Sequence, residues 1–240
     1  MKTKLTPELA EAIGVLVADG CIQKSYICVW GNIREDRQYF YNHLVPLFSR
    51  LFNKKINAHE KKSNSVYGFY LCSKEVVSFL SENFGLTPGT KTYDVKIPAV
   101  ILDSDDDIIC SFIRGFADCD GCLTFDKSYG NYIPFKRTHN HYPRIILISV
   151  SEELVRQLYQ VLTRLGFKCH LRIEKPKSTL AHTYRIFLKG PHNLELWTSL
   201  IGFNNPVQSS RYLIWKKLGF CPTKITLLQR QKLLKGHKNP

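Results

Sequence analysis

The chain has 240 residues, 44% of them hydrophobic, and its 34 Lys and Arg against 20 Asp and Glu give a formal net charge of +14. This length accommodates one large domain or two tandem domains of about 120 residues, and the charge favours a polyanionic partner. No apolar run reaches the roughly 18 residues of a membrane span, and no signal peptide is evident, so we expect no membrane contact and an intracellular protein, in a prokaryotic cytoplasm or an organelle.

The first half of the chain alternates helical and strand-like patterns. Thr6-Pro7 is a typical N-cap followed by proline, and it predicts a helix that runs to Asp19. The further predicted elements are two strands within residues 21–30 with a turn near 23–25, a helix over 34–52, two strands within 56–72 and a helix over 74–84.

A linker is predicted midway along the chain. Residues 85–101 contain Pro88, Gly89 and Pro98 and show no clean periodicity. The acids between Asp103 and Asp107 are interpreted as a solvated continuation of this linker. The predicted division is an N-terminal repeat over residues 1–85, a linker over 86–106, and a C-terminal repeat with an extension over 107–240.

The second half repeats the order of the first. Its predicted elements are a helix over residues 107–120, strands within 123–149, a helix over 152–165, strands within 169–188 and a helix over 191–201. Residues 14–20 match 115–121 at an offset of 101, and residues 49–61 match 163–175 at an offset of 114, which predicts a 13-residue insertion near 129–143. We therefore predict an α+β fold of two αββαββα units. The basic stretch 213–240 is expected to pack on the second unit and to end loosely.

The strongest chemical signal is a pair of small-residue helices that each end in Asp-Gly. Gly14 and Gly115 lie at matched places and let two helix backbones approach closely. Packing them together brings Asp19 and Asp120 toward a common point. Carboxylates at helix C-termini are electrostatically disfavoured unless a cation compensates, and hard oxygen ligands suit Mg²⁺. Metal-assisted hydrolysis of a phosphodiester is the chemistry that such a site offers.

These segments resemble the two motifs of the LAGLIDADG homing endonucleases, and the resemblance extends over nearly all of both halves. It implies pseudo-symmetric repeats packed through the two motif helices, with antiparallel sheets forming a DNA-binding saddle. It also implies Asp19 and Asp120 as metal ligands for Mg²⁺, with Mn²⁺ as a substitute. Asp118, where the first copy has Val17, is expected to be structural, and Arg114 departs from the motif.

The resemblance implies further residues of the catalytic site. The family places a lysine in each half after the last strand, and Lys74 and Lys189 occupy that place. It also places a polar residue after the second strand of each half to complete a water network, and Asn32 and Ser149 are the nearest matches. Ser151 is better explained as the N-cap of the helix that starts at Glu152.

Alternate side chains of an antiparallel strand face one way, so a sheet can present a row of polar groups to the major groove. The candidate DNA-contacting residues are Lys24, Tyr26, His59, Lys61, Arg137, His139, His141, Arg172, Glu174, Lys177, His182 and Arg185. Two sheets of strands with about ten residues would span about 20 base pairs.

The resulting hypothesis is a monomeric, site-specific endonuclease that makes a metal-dependent double-strand break in duplex DNA and leaves 3′ overhangs. Two alternatives stay open on the same fold: an intron splicing maturase that binds RNA, and a DNA-binding protein that does not cleave. Retention of both Asp19 and Asp120 argues against the latter. Residence inside an intein is not expected, because no splicing domain flanks the segment between Met1 and Pro240.

Overall fold

The fold is known from a computed structural model that describes residues 4–89, 93–127, 139–175 and 182–236. The first repeat consists of α1 (Pro7–Ala18), β1 (Gly20–Ile22), β2 (Tyr26–Asn32), α2 (Arg37–Tyr39), a π-helical turn (Phe40–Leu44), α3 (Val45–Phe52), β3 (His59–Lys61), a 3₁₀ turn (Lys62–Asn64), β4 (Val66–Cys72) and α4 (Lys74–Phe84). The second repeat consists of a short preceding helix α5 (Ala99–Leu102), then α6 (Asp106–Asp120), β5 (Gly121–Asp126), β6 (Tyr142–Ser149), α7 (Glu152–Arg164), β7 (Cys169–Glu174), β8 (Thr183–Lys189) and α8 (Pro191–Leu200). Two C-terminal helices follow, α9 (Pro206–Leu218) and α10 (Leu227–Leu234).

Local sequence signals explain where the principal helices begin. Thr6 caps α1, since its hydroxyl accepts a hydrogen bond from the backbone N–H of Leu9, and Ser151 caps α7 in the same way through Leu154. Both caps confirm the sequence predictions. Ser73 likewise caps α4 through Val76.

The two repeats have the same sheet topology. Each contains one four-stranded antiparallel sheet, with strand orders β1-β2-β4-β3 and β5-β6-β8-β7. Gly20 pairs with Val29 and Gly121 pairs with Leu147, so the start of each sheet directly follows the Asp-Gly end of its helix. The predicted α+β architecture of two αββαββα units is confirmed.

The register corrects the second of the two repeat alignments. In the sheets, His59 and Arg172 hold equivalent places, because they pair with the equivalent β4 and β8 positions Gly68 and Arg185. The left-handed residues Asn53 and Gly166 give the same offset of 113. The predicted offset of 114 is therefore one residue too long, which matters because a one-residue shift moves a side chain to the opposite face of a strand.

Two boundaries differ from the prediction. The helix expected over 34–52 begins at Arg37 and contains the π-helical turn directly before Pro46, whose ring and missing N–H disfavour a regular helix there. The acids expected in the linker instead enter α6, where Asp106 and Asp107 lie in the first turn and favour the positive end of the helix dipole. The predicted insertion near 129–143 falls largely outside the described residues.

The C-terminal extension contacts both repeats, not only the second. Arg230 in α10 binds Glu35 of the first repeat at 2.9 Å, and the amides of Gln38 and Gln231 pair with each other. In the described ranges, no helix is long and apolar enough to cross a membrane.

Candidate metal centre and nucleic-acid interface

The two repeats meet through α1 and α6, which touch backbone to backbone. A Cβ added at Gly14 would lie 2.8 Å from the backbone nitrogen of Phe116, and a Cβ added at Gly115 would lie 2.9 Å from the carbonyl carbon of Glu11. Both separations are far below an ordinary contact, so only glycine fits at either position. This reciprocal contact places the C-terminal ends of both helices side by side.

A cavity of about 1070 Å³ opens at these two helix ends. It is lined by Asp19 and Asp120, the acids of the two Asp-Gly pairs, and by the polar side chains of Gln23 and Ser149. Burial, and after it the charges of nearby acids that include Asp19 and Asp120, raises the pKa of the Cys119 thiol. The structure therefore brings the two predicted metal acids together.

The donor set of this cavity suits a hard divalent cation. In the described part of the chain, no cluster of three or more His, Cys, Asp or Glu is arranged to hold an ion alone. An ion at Asp19 and Asp120 would need oxygen ligands from water and from a phosphate, which is how Mg²⁺ commonly binds. Thiols of Cys21 and Cys122 flank the acids at equivalent places, and the sequence analysis did not single them out as lining residues.

A buried ion-pair network lies between the repeats one to two turns before the acids. Glu11 is only 3% exposed. Its carboxylate accepts hydrogen bonds from Arg114 at 2.8 Å and from Asn204 at 2.7 Å, and it contacts His43 Nε2 at 2.5 Å. Burial by itself would raise the pKa of Glu11, but the hydrogen bond with His43 and the charge of Arg114 lower it to about 2. Arg114, the residue that departs from the motif, is thus explained by its partner in the other repeat.

Asp118 takes part in the same interface and not in the cavity with the acids. Its Oδ2 accepts hydrogen bonds from the backbone N–H groups of Asn204 at 2.8 Å and Asn205 at 3.0 Å. Burial and the charge of Glu11 raise the pKa of Asp118 to about 8, although these two hydrogen bonds by themselves lower it. The carboxyl group is therefore protonated near neutral pH.

The segment that begins α9 supports the residues on either side of Asp120. Asn205 donates from its side-chain amide to the carbonyl oxygen of Asp118 at 3.0 Å. Gln208 accepts from the backbone N–H of Leu123 at 2.9 Å and donates to the carbonyl oxygen of Gly121 at 3.2 Å. The sequence analysis missed this support, because the bonds join positions more than 80 residues apart and no local pattern marks them.

The two predicted water-network residues occupy different environments. Ser149 lines the cavity. Asn32 instead accepts hydrogen bonds from the backbone N–H groups of Arg34 and Glu35, and so closes the turn after β2. By sheet register the counterpart of Ser149 is Gly31, because both lie two residues beyond the strand position that pairs with the Asp-Gly glycine.

The structure does not bring Lys74 and Lys189 to the acids. Lys74 is the first residue of α4, and it follows Cys72, which pairs with Tyr26 at the end of β2 remote from the acids. Lys189 pairs with Arg144, three residues along β6 from Leu147, the partner of Gly121. Neither lysine is among the residues that line the cavity. Lys189 lies instead on the open face of the second sheet.

Most of the predicted DNA-contacting residues lie at or beside the sheet face turned away from the helices, here called the outer face. Alternation with buried Ile27, Val29 and Phe69 assigns the side chains of the first sheet to this face. The predicted residues placed on the two outer faces are Tyr26, His59, Lys61, Arg172, Glu174 and Arg185. Lys24 lies in the β1–β2 turn, His182 directly precedes β8, and His139 and His141 precede β6. Arg137 and Lys177 lie outside the described residues.

The two repeated units and the paired acids agree with what the resemblance to the LAGLIDADG family implied. Residues 107–190 match the family model for the LAGLIDADG-like domain. The resemblance that the sequence predicted is thus confirmed for the second repeat.

Solved structures have the same fold. A crystal structure of the homing endonuclease I-DmoI in complex with DNA and Mn is 13% identical to this chain, covers 83% of it and 98% of its own length, and gives a TM-score of 0.55. The N-terminal LAGLIDADG domain of DUF199/WhiA is 15% identical, covers 84% of this chain and 87% of its own, and gives a TM-score of 0.50.

Curated relatives contain a similar segment inside much longer chains. The chain is 24% identical to a segment of the replicative DNA helicase DnaB of Rhodothermus marinus, and the match covers 83% of this chain but 21% of that protein. It is 21% identical to a segment of the isomerizing glutamine–fructose-6-phosphate aminotransferase of Methanocaldococcus jannaschii, and this match covers 82% of this chain but 16% of that protein. The chain therefore spans about a fifth or less of the length of these relatives.

Proposed function

We propose that this protein is a site-specific DNA endonuclease that binds a long duplex and cuts both strands with divalent metal ions. The observation that carries the proposal is the meeting of Asp19 and Asp120 in one cavity between two equivalent sheets. The I-DmoI complex with DNA and Mn supports a DNA duplex as the substrate and a divalent cation as the cofactor. We further propose that Mg²⁺ serves, that the breaks leave 3′ overhangs, and that one chain acts alone.

In this proposal each part of the chain has a distinct task. The carboxylates of Asp19 and Asp120 would hold the cations at the helix ends, and water and phosphate oxygens would supply the remaining ligands. A bound divalent ion would polarise the scissile phosphate and make water a stronger nucleophile. Ser149 and Gln23, which line the cavity, orient water through hydrogen bonds. The outer faces of the two sheets hold the duplex on both sides of the cut.

The test is cleavage of a supercoiled plasmid that carries a target selected from a randomised library. Wild type should linearise the plasmid in Mg²⁺. Asp19→Asn and Asp120→Asn should each abolish double-strand cleavage and leave binding in Ca²⁺ intact. Asp103→Asn removes an exposed acid outside the cavity and serves as the matched control, which should cut normally.

The outcomes separate the proposal from its competitors. Tight, selective duplex binding without cleavage by wild type, in Mg²⁺ and in Mn²⁺, would overturn the nuclease assignment and favour a DNA-binding protein. Cleavage that survives both Asp19→Asn and Asp120→Asn would show that the chemistry lies elsewhere in the chain.

A further inference from the structure

The two repeats have similar net charges. Residues 1–85 contain 11 Lys and Arg against 8 Asp and Glu, a net charge of +3, and residues 107–201 contain 13 against 8, a net charge of +5. The C-terminal extension, residues 202–240, contains 8 Lys and Arg and no acid. The two repeats therefore differ in where their charged residues lie and not in net charge.

The second sheet collects its cations on its outer face. Its strands contain four Lys or Arg residues, Arg144, Arg172, Arg185 and Lys189, here called the cation array. All four have the outward strand position, and they form two directly opposed pairs, Arg144 with Lys189 and Arg172 with Arg185. Like charges directly opposite each other destabilise a sheet. Two such pairs on one face therefore need negative charge nearby to compensate them.

Internal acids neutralise only part of the cation array. Arg144 binds Asp126 at 3.2 Å and Arg185 binds Glu174 at 3.0 Å. In the described part of the chain, neither Arg172 nor Lys189 forms an ion pair, and both are exposed. The charged groups of these two residues thus remain available to an external anion.

The first sheet presents an aromatic surface in the equivalent place. Its outer face carries Tyr26, Trp30, His59 and Tyr70, here called the aromatic cluster, whose neighbouring ring centroids lie 5.2 to 5.7 Å apart. Lys61 is the only Lys or Arg within the strands of this sheet. Its ammonium lies 4.2 Å from the Trp30 ring centroid and donates a hydrogen bond to the Tyr70 hydroxyl. This lysine is therefore already bound within the cluster.

We propose that the two repeats divide the duplex between them by chemistry. The cation array of the second repeat anchors the DNA through its phosphates. The aromatic cluster of the first repeat contacts base edges and sugars through apolar and polarisable surface, and it adds little ionic attraction. This inference rests on the proposed function only in taking duplex DNA as the ligand, and it does not depend on cleavage.

The test is the salt dependence of binding, measured by fluorescence anisotropy with a 30-base-pair duplex of mixed sequence in EDTA. Each phosphate contact contributes about 0.9 to the slope of log K against log salt concentration. The double variant Arg172→Gln/Lys189→Gln should lower the slope by about 1 to 2. Lys61→Gln should leave the slope unchanged. Lys54→Gln/Lys216→Gln, which neutralises two exposed lysines outside the sheets, is the matched control and should also leave it unchanged.

Two further measurements distinguish anchoring from misfolding and from a failed function. Without DNA, Arg172→Gln should raise the melting temperature at low salt, because it relieves an opposed like-charge pair. Trp30→Ala should weaken binding by the same factor at every salt concentration. Absence of any duplex binding by wild type would overturn the proposed function itself. Binding with equal loss of slope in Lys61→Gln and in Arg172→Gln/Lys189→Gln would overturn only the division between the repeats.

Discussion

Replacing Gly14 by alanine tests the helix contact on which the whole site depends. On helix propensity alone, Gly→Ala inside a helix stabilises a protein by about 0.5 to 1 kcal/mol. In this structure the new Cβ would lie 2.8 Å from the Phe116 nitrogen and closer still to the Phe112 carbonyl oxygen, whereas ordinary contacts begin at 3.4 Å. The clash is with backbone, so α1 and α6 must move apart by at least 0.6 Å.

The magnitude follows from overpacking. Forcing extra atoms into a close-packed interface costs about 1 to 3 kcal/mol, and a rigid backbone neighbour places this case at the upper end. We therefore expect Gly14→Ala to lose about 3 kcal/mol of unfolding free energy, against the gain that propensity predicts. Cleavage should fall further than stability explains, because Asp19 lies at the end of the displaced helix.

Urea denaturation followed by circular dichroism measures this loss. Gly219→Ala is the control, because Gly219 has a positive φ of 75° and open space around it, so its cost is conformational strain alone. The Gly219→Ala variant should lose about 1 kcal/mol of unfolding free energy and should cut DNA normally. A Gly14→Ala protein as stable as wild type would refute the close approach of α1 and α6.

Three further predictions concern the buried contacts around the site. Glu11→Gln should lower the free energy of unfolding, measured by urea denaturation, by about 3 to 5 kcal/mol, because it leaves the Arg114 guanidinium in the interface without its carboxylate. A loss of less than about 1 kcal/mol would contradict the buried ion pair. The pKa of Asp118 is about 8 in the folded protein and about 4 in the unfolded chain. Its contribution to stability is therefore complete below pH 4 and is lost as the pH rises through 8. Asp118→Asn should for this reason flatten the fall in melting temperature between pH 6 and about 8.5. In plasmid cleavage, Asn205→Ala and Gln208→Ala should each produce nicked circles that are cut on the same strand as those produced by Asp120→Asn. Equal slowing of the cuts in both strands would contradict a local role of these residues in supporting Asp120.

Local patterns in the sequence were sufficient to predict most of the fold. The Thr6 cap, the Asp-Gly helix ends and the α4 boundaries all follow from signals within one or two turns. The repeat of the whole unit made the second half predictable from the first. Asp19 and Asp120 could be paired because the matched glycines Gly14 and Gly115 already implied a close helix contact.

Long-range contacts and strand register could not be predicted in this way. Nothing near Glu11 indicates that its partner is Arg114, 103 positions away. The lysines could not be placed for a different reason, since placing Lys189 relative to the acids requires the register of β6 with β8. A sequence pattern identifies a strand more easily than it identifies which residue lies opposite on the next strand.

The buried polar groups of the interface are asymmetric although the fold is symmetric, and this commits α1 to pairing with α6. At the offset of 101, the counterpart of Glu11 is Phe112 and the counterpart of Arg114 is Ile13. A pair of α1 helices would therefore bury Glu11 without a cation, and a pair of α6 helices would bury Arg114 without a carboxylate. Either arrangement leaves an uncompensated charge, which costs several kcal/mol, about as much as a small domain's whole stability. Only α1 against α6 satisfies both groups, so the ion pair that departs from the motif selects the pairing of two unequal helices over either pairing of like helices.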